Sequence, residues 1–229
     1  MGKTLADVDN QVRELIGDYQ LTTFAPGDVS EAINWAQNLV MRLKGFKFAS
    51  RLYAGNVYPI GTLPSDWLGV KRMLLVTTTM SPVVTASDTS DALDTVVRVL
   101  RESNMEYEDS ASDTWRSAKA HMIPRRWVLV GGNNFATVPA LMPTDGTGAG
   151  LYVRLHYIKM ATPVVLSADP IDPTIPDYYQ DALRYAAVAY LFEKDTDQKS
   201  IGIKKEMMES FQFHLSPGVP PLSVSDQDS

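Results

Sequence analysis

The chain is expected to be α+β: a four-helix bundle made from the two ends of the sequence, with a large antiparallel β-rich insertion between helices 2 and 3. Three observations lead there. Apolar residues recur at helical spacing near both ends, as in Leu5, Val8, Val12 and Leu15. The middle switches to period 2, most clearly in Leu151, Val153, Leu155 and Tyr157 against Tyr152, Arg154, His156 and Ile158. The stretch Asp177–Glu193 (DYYQDALRYAAVAYLFE) is apolar nearly all round, as a helix packed on several sides requires. The predicted organisation is residues 1–45 and 175–215 as the bundle, 46–174 as the insertion and 216–229 as a flexible C-terminal tail.

Each element has its local cause. Thr4–Ile16 is an amphipathic helix with Thr4 and Asp7 spaced as a capping box and Gly17 at its stop. A second helix, about Pro26–Lys44, buries Val29, Ala32, Ile33, Ala36, Leu39, Val40 and Leu43 and turns Glu31, Asn34, Asn38 and Arg42 outward. Lys47–Tyr53, Asn56–Ile60 and Val70–Thr79 read as strands, and Met80–Ser90 as a loop. Asp94–Arg101 alternates, with Val96, Arg98 and Leu100 on one side and Val97, Val99 and Arg101 on the other. Ser103–Asp109 reads as a short helix capped by Ser103, and Ala111–Met122 as weakly helical. Trp127–Gly131, Phe135–Leu141 and Gly150–Lys159 are three strands, the first pair joined by Gly131-Gly132-Asn133-Asn134, which is hairpin chemistry. Ala161–Thr174 is a proline-punctuated connector. Asp177, with Gln180 three residues on, opens the central helix. A last helix runs to about His214 with Ile203, Met207, Met208 and Phe211 inward. Ser216–Ser229 has too little apolar surface to order itself.

Composition narrows the function. The 229 residues carry 45% hydrophobic and 21% charged side chains, no cysteine and a net charge of −6. Disulfides and thiol chemistry are excluded. No apolar run approaches the ~20 residues that span a bilayer, and the acidic start is not a signal peptide. The negative charge is not the footprint of a protein that grips nucleic acid. His121, His156 and His214 lack the spacing of metal ligands. Gly146–Gly150 opens a strand rather than a helix, which favours a hairpin tip over a phosphate loop. No Gly-x-Ser-x-Gly elbow occurs. No constellation for catalysis emerges, and no cofactor or metal is expected.

The basic cluster Lys119, Arg125 and Arg126, near Trp115 and Trp127, is the best candidate for nucleic-acid contact. In an acidic chain, a solvated strand edge or an intersubunit ion pair accounts for it better. Trp35 lies at the rim of its helix's apolar face, where boundary packing competes with a contact to another subunit. Trp35, Trp115, Arg125 and Arg126 are therefore the candidates for intersubunit or tail contacts.

Several segments, in order, carry a resemblance. They are Val12–Ile16, Ala32–Gln37, Tyr58–Ile60 with Leu63–Trp67 ahead of Lys71-Arg72, Trp127–Gly131, Leu151–Lys159 and Ile175–Leu183. Together they resemble the head-to-tail adaptor (connector, or head-completion) proteins of tailed bacteriophages, particularly short-tailed ones. Met80–Met122 departs from that pattern. The resemblance implies a non-enzymatic virion protein at the head–tail interface, assembled in the host cytoplasm. Its implied partners are the portal protein, the tail nozzle protein and further copies of itself, in a ring matching the portal's twelvefold symmetry. DNA would pass through the channel without specific binding. The tail would reach the portal through Leu215, Pro217, Val219, Pro220, Pro221, Leu222 and Val224. The alternative reading is a carbohydrate- or protein-binding β module on a helical base, marked by exposed aromatics such as Trp115 and Tyr107.

Overall fold

A computed structural model describes residues 2–18, 23–54, 61–78, 94–111, 115–116, 123–140, 151–193 and 198–216. The chain divides into two compact units, residues 1–46 with 161–229, and residues 47–160.

The first unit holds α1 (Leu5–Ile16), α2 (Pro26–Lys44), α4 (Asp177–Gln180), α5 (Leu183–Leu191) and α6 (Gln198–Leu215). In α1, the Thr4 hydroxyl accepts from the Asp7 amide while the Asp7 carboxylate accepts from the Thr4 amide, so two orphan N–H groups are satisfied at once. Gly17 closes the helix at φ 71°. Pro26 occupies the first turn of α2, where its missing N–H costs nothing. α5 is packed against α1, α2 and α6, which explains an apolar surface on every side. Ala182, Ala186, Ala187 and Ala189 are buried there and permit the close approach.

The expected long central helix is broken. Asp177–Gln180 is a single turn, and the chain resumes helically only at Leu183. Gln180 is the reason its neighbourhood is not a simple capping box. Its side-chain oxygen accepts from the Lys3 amide at 2.8 Å, and its Nε2 donates to the Ile175 carbonyl at 2.9 Å.

The buried stripe of α2 is also rotated from expectation. Leu43 is exposed, while Gln37 and Met41 are buried. The connector after Ala161 lies on that side of the helix and is held by amide side chains. Asn34 accepts from the Val164 amide and donates to the Val164 carbonyl, both at 2.9 Å. Asn38 accepts from the Ala161 amide, and Gln37 accepts from the Asp172 amide. Polar residues read as solvent-facing thus serve as the template for an irregular segment whose backbone groups need partners.

The second unit is a seven-stranded sheet with α3 (Met105–Ala111). Its strands are β1 (Phe48–Ala54), β2 (Gly61–Thr62), β3 (Trp67–Thr78), β4 (Asp94–Glu102), β5 (Arg126–Leu129), β6 (Asn134–Val138) and β7 (Leu151–Lys159). The order is β1-β7-β3-β4-β5-β6-β2, with every pair antiparallel except β4–β5. The β5–β6 turn uses Gly131 and Gly132 at φ 57° and 56°, the positive angles that a tight hairpin demands.

The two outer strands meet. The Tyr53 hydroxyl on β1 donates to the Thr62 carbonyl on β2 at 2.8 Å. The Tyr53 ring stands edge-on to Phe135 of β6 at 4.9 Å. The sheet therefore curls into a nearly closed barrel. Its interior gathers Leu63, Met73, Leu75, Leu100, Trp127, Phe135, Val153, Leu155 and Tyr157, each fully buried aliphatic or aromatic side chain contributing about 1.5–3 kcal/mol.

This corrects the expected fold class. Among the described residues there are five helices of seven residues or more and one isolated turn, not a four-helix bundle carrying an insertion. One helix lies in the sheet unit. The β region is a curled sheet with its own interior and one parallel pair, rather than an antiparallel appendage. Periodicity located β1 and β3 to β7; the strand expected at Asn56–Ile60 lies outside the described residues, and no pattern marked β2 or which strand closes against which.

Candidate interaction surface

The surface that concentrates unusual chemistry lies where β4 meets β5. Two register pairs define the junction, Arg101 with Arg126 and Glu102 with Trp127. The Arg101 amide donates to the Arg125 carbonyl at 3.1 Å, and the Ser103 amide to the Trp127 carbonyl at 2.9 Å. Trp127 points into the barrel, so Arg126 is on the outer face.

A bulge at Val97 resets the alternation of β4. Val96 pairs with Val76 and Arg98 with Leu75, leaving Val97 without a register partner. Arg98 and Leu100 then share the inner face with Leu75 and Met73. Val96, Val99 and Arg101 share the outer one. Simple period-2 counting placed Val96 with Arg98; the extra residue of the bulge is why that fails.

Arg98, Val99, Arg101, Arg125 and Arg126 line an open groove of about 530 Å³. Arg126 is anchored. Its Nε lies 2.9 Å from Oε1 of Glu108, a residue of α3 that is only 2% exposed. Its Nη2 donates to Glu108 Oε2 at 3.1 Å, and its guanidinium lies 5.3 Å from the Tyr107 ring centre. The Ser103 hydroxyl also donates to Glu108, so the carboxylate is fixed on both sides. Asn104 rather than Ser103 caps α3, accepting from the Tyr107 amide.

Of the expected contact residues, Arg125 and Arg126 come together in this groove. Trp115 is 3% exposed and packs with Val128, Ala136 and Val138. Its indole donates to Asp109 at 2.7 Å. The Arg116 hydrogen bond, then the Trp115 indole, hold the Asp109 carboxyl below its ordinary range. Tyr107 is half exposed, but the burial of Trp115 leaves no open two-ring platform for a sugar. Trp35, in the helical unit, stacks on Tyr190 at 5.0 Å, and the Tyr190 hydroxyl donates to Glu31. That hydrogen bond is the main reason the Tyr190 phenol is pushed up from its usual pKa. Leu215 is buried at the end of α6. Lys119, Gly146–Gly150, His121, Pro217, Val219, Pro220, Pro221, Leu222 and Val224 lie outside the described residues.

Arg98, Arg101 and Glu108 were not singled out from the sequence. Arg101 and Arg126 are separated by 25 positions, and only the parallel strand pair unites them. Among the described residues no three His, Asp or Glu side chains gather as metal ligands would, and no helix is long and apolar enough to cross a membrane.

No curated protein matches the chain. The family model described as SU10 adaptor protein matches residues 3–212. That span runs from the first helix into the last, taking in the whole sheet unit and most of the helical unit. The adaptor resemblance carried by the scattered sequence segments is thereby shown, and the chain belongs to the SU10 adaptor protein family of phage head–tail adaptors.

Proposed function

We propose that this structural virion protein forms a homo-oligomeric ring between the portal and the tail nozzle, continuing the channel through which DNA leaves the head. The observation that carries the reading is the family match across residues 3–212. The physical character of the chain supports it. A net charge of −6 suits a wall past which DNA slides rather than sticks. The chain combines a helical unit and a sheet unit, two bodies of different chemistry for a protein that joins two unlike assemblies. Ring closure then follows from a heterologous contact repeated by rotation. The tail, including Pro217–Val224, reaches the portal in this reading, and assembly takes place in the host cytoplasm.

The test is light scattering of the purified chain mixed with portal rings. The expected result is a complex whose mass exceeds the portal by a whole number of chains equal to the portal's symmetry. Elution of the two components unchanged at micromolar concentrations overturns the reading. Deleting residues 217–229 is expected to weaken the complex while leaving the chain folded.

A further inference from the structure

We propose that the edge of β4 ahead of β5, open among the described residues, and the arginine groove beside it dock an extended segment of a partner protein by strand addition. The segment carries aliphatic residues at alternate positions next to carboxylates. The proposal rests on the groove and strand edge alone, and stands or falls independently of the ring.

The backbone supplies the first argument. β5 begins at Arg126, opposite Arg101. The amides of Arg101 and Ser103 point to that side and are bonded there. Strand alternation turns the Val99 amide to the same side, ahead of the start of β5, and no acceptor for it occurs among the described residues. An edge of this kind is a template for another strand.

Side chains supply the second. Val96, Val97 and Val99 are 54%, 42% and 58% exposed. Three exposed aliphatic residues close together on the strand offer apolar contact to alternate side chains of an added strand.

Charge supplies the third and sets the chemistry of the occupant. Arg101 and Arg126 stand opposite one another, an unfavourable juxtaposition. Glu108 neutralises Arg126. Among the described residues no carboxylate pairs with Arg98, Arg101 or Arg125. Guanidinium forks bind carboxylates bidentately, so a segment bringing two or three of them removes the repulsion. Nucleic acid fits less well. The exposed valines have nothing to offer a phosphate.

The probe is a fluorescent peptide of alternating Val and Glu, followed by anisotropy with the full chain. Binding is expected, weakened by salt and absent for the Val–Lys counterpart. The double variant Arg101→Glu, Arg125→Glu is expected to reduce affinity at least about tenfold, with an unchanged circular dichroism spectrum. A peptide N-methylated at alternate residues is expected to bind at least about tenfold more weakly to the unaltered protein, because it cannot complete a ladder. Equal affinity of the methylated peptide overturns strand addition. Displacement by duplex DNA as effective as by unlabelled peptide overturns it too, making the groove a general polyanion contact. Absence of binding overturns the site. Self-association of the full chain that saturates the groove, and disappears on deleting residues 217–229, assigns the edge to the chain's own tail and overturns the partner.

Discussion

Arg101 and Arg126 face one another across the parallel β4–β5 pair, and Glu108 compensates only the second. Removing the unpaired member should therefore help the isolated protein. Arg101→Gln is expected to raise stability by about 0.5 kcal/mol in urea unfolding at low salt, a gain that shrinks as salt screens the pair. Glu108→Gln acts oppositely. It leaves two guanidinium groups facing each other and is expected to cost about 2 kcal/mol.

Tyr53 joins the two edges of the sheet. Tyr53→Phe keeps the ring against Phe135 but loses the hydroxyl's bond to Thr62, an expected cost of about 1 kcal/mol. Burial raises the Tyr53 phenol pKa, while Arg51 pulls it partly back. A folded pKa above the unfolded one means stability that is fully present below the ordinary tyrosine pKa of about 10 and lost as pH rises through the folded value. Tyrosinate absorbance together with circular dichroism should show an alkaline loss of stability that is smaller in Tyr53→Phe.

Gly61 has no room for a side chain because Tyr53 occupies it. A Cβ there would sit 2.5 Å from the Tyr53 ring and 3.2 Å from Phe135. Gly61→Ala is expected to cost about 1–3 kcal/mol in urea unfolding. The cost should fall when Tyr53→Ala is already present, a coupling that a double-mutant cycle reads directly.

On the outer face, Arg154 donates to Asp94 at 2.6 Å with both side chains almost fully buried. Asp94→Ala takes this carboxylate away from a buried cation and is expected to cost about 3 kcal/mol. Replacing both residues by aliphatic ones of similar volume should cost less than the single change, measured by the same unfolding experiment.

The connector carries an acid-sensitive contact. Asp169 accepts from the Leu166 and Val165 amides, both at 2.8 Å, and these bonds, Leu166 first, lower its pKa. A depressed folded pKa gives stability present above the unfolded carboxylate value of about 3.9 and lost as pH falls through the folded one. Asp169→Asn is expected to flatten the acid limb of the stability profile.

Local chemistry was legible in the sequence wherever one residue and its near neighbours decide the outcome. Thr4, Asp7 and Gly17 announce the ends of α1, and they cap it as expected. The Gly131-Gly132 turn and the alternation of β7 were equally plain. What the sequence did not show is long-range. Asn34 and Asn38 look solvent-facing until the connector arrives about 130 positions later. The closure of β1 on β2, which overturned the expected bundle-with-insertion, brings Tyr53 against Thr62 and Phe135, a meeting that no local pattern records. The groove was half visible. Arg125 and Arg126 stood out as a cluster, whereas Arg98 and Arg101 were scattered in a strand until a bulge and a parallel pairing assembled the four. Trp115 looked like a surface marker, but an indole with an acceptor at Asp109 can be buried without cost.

The proposed arrangement is a closed ring of this adaptor-family chain on the portal. Electron microscopy of portal rings incubated with the purified chain tests it most directly. The expected result is an added layer on one face of the portal, with the portal's rotational symmetry and an open axial channel. Portals that remain bare when the chain is in excess, or that carry density blocking the axis, would contradict it.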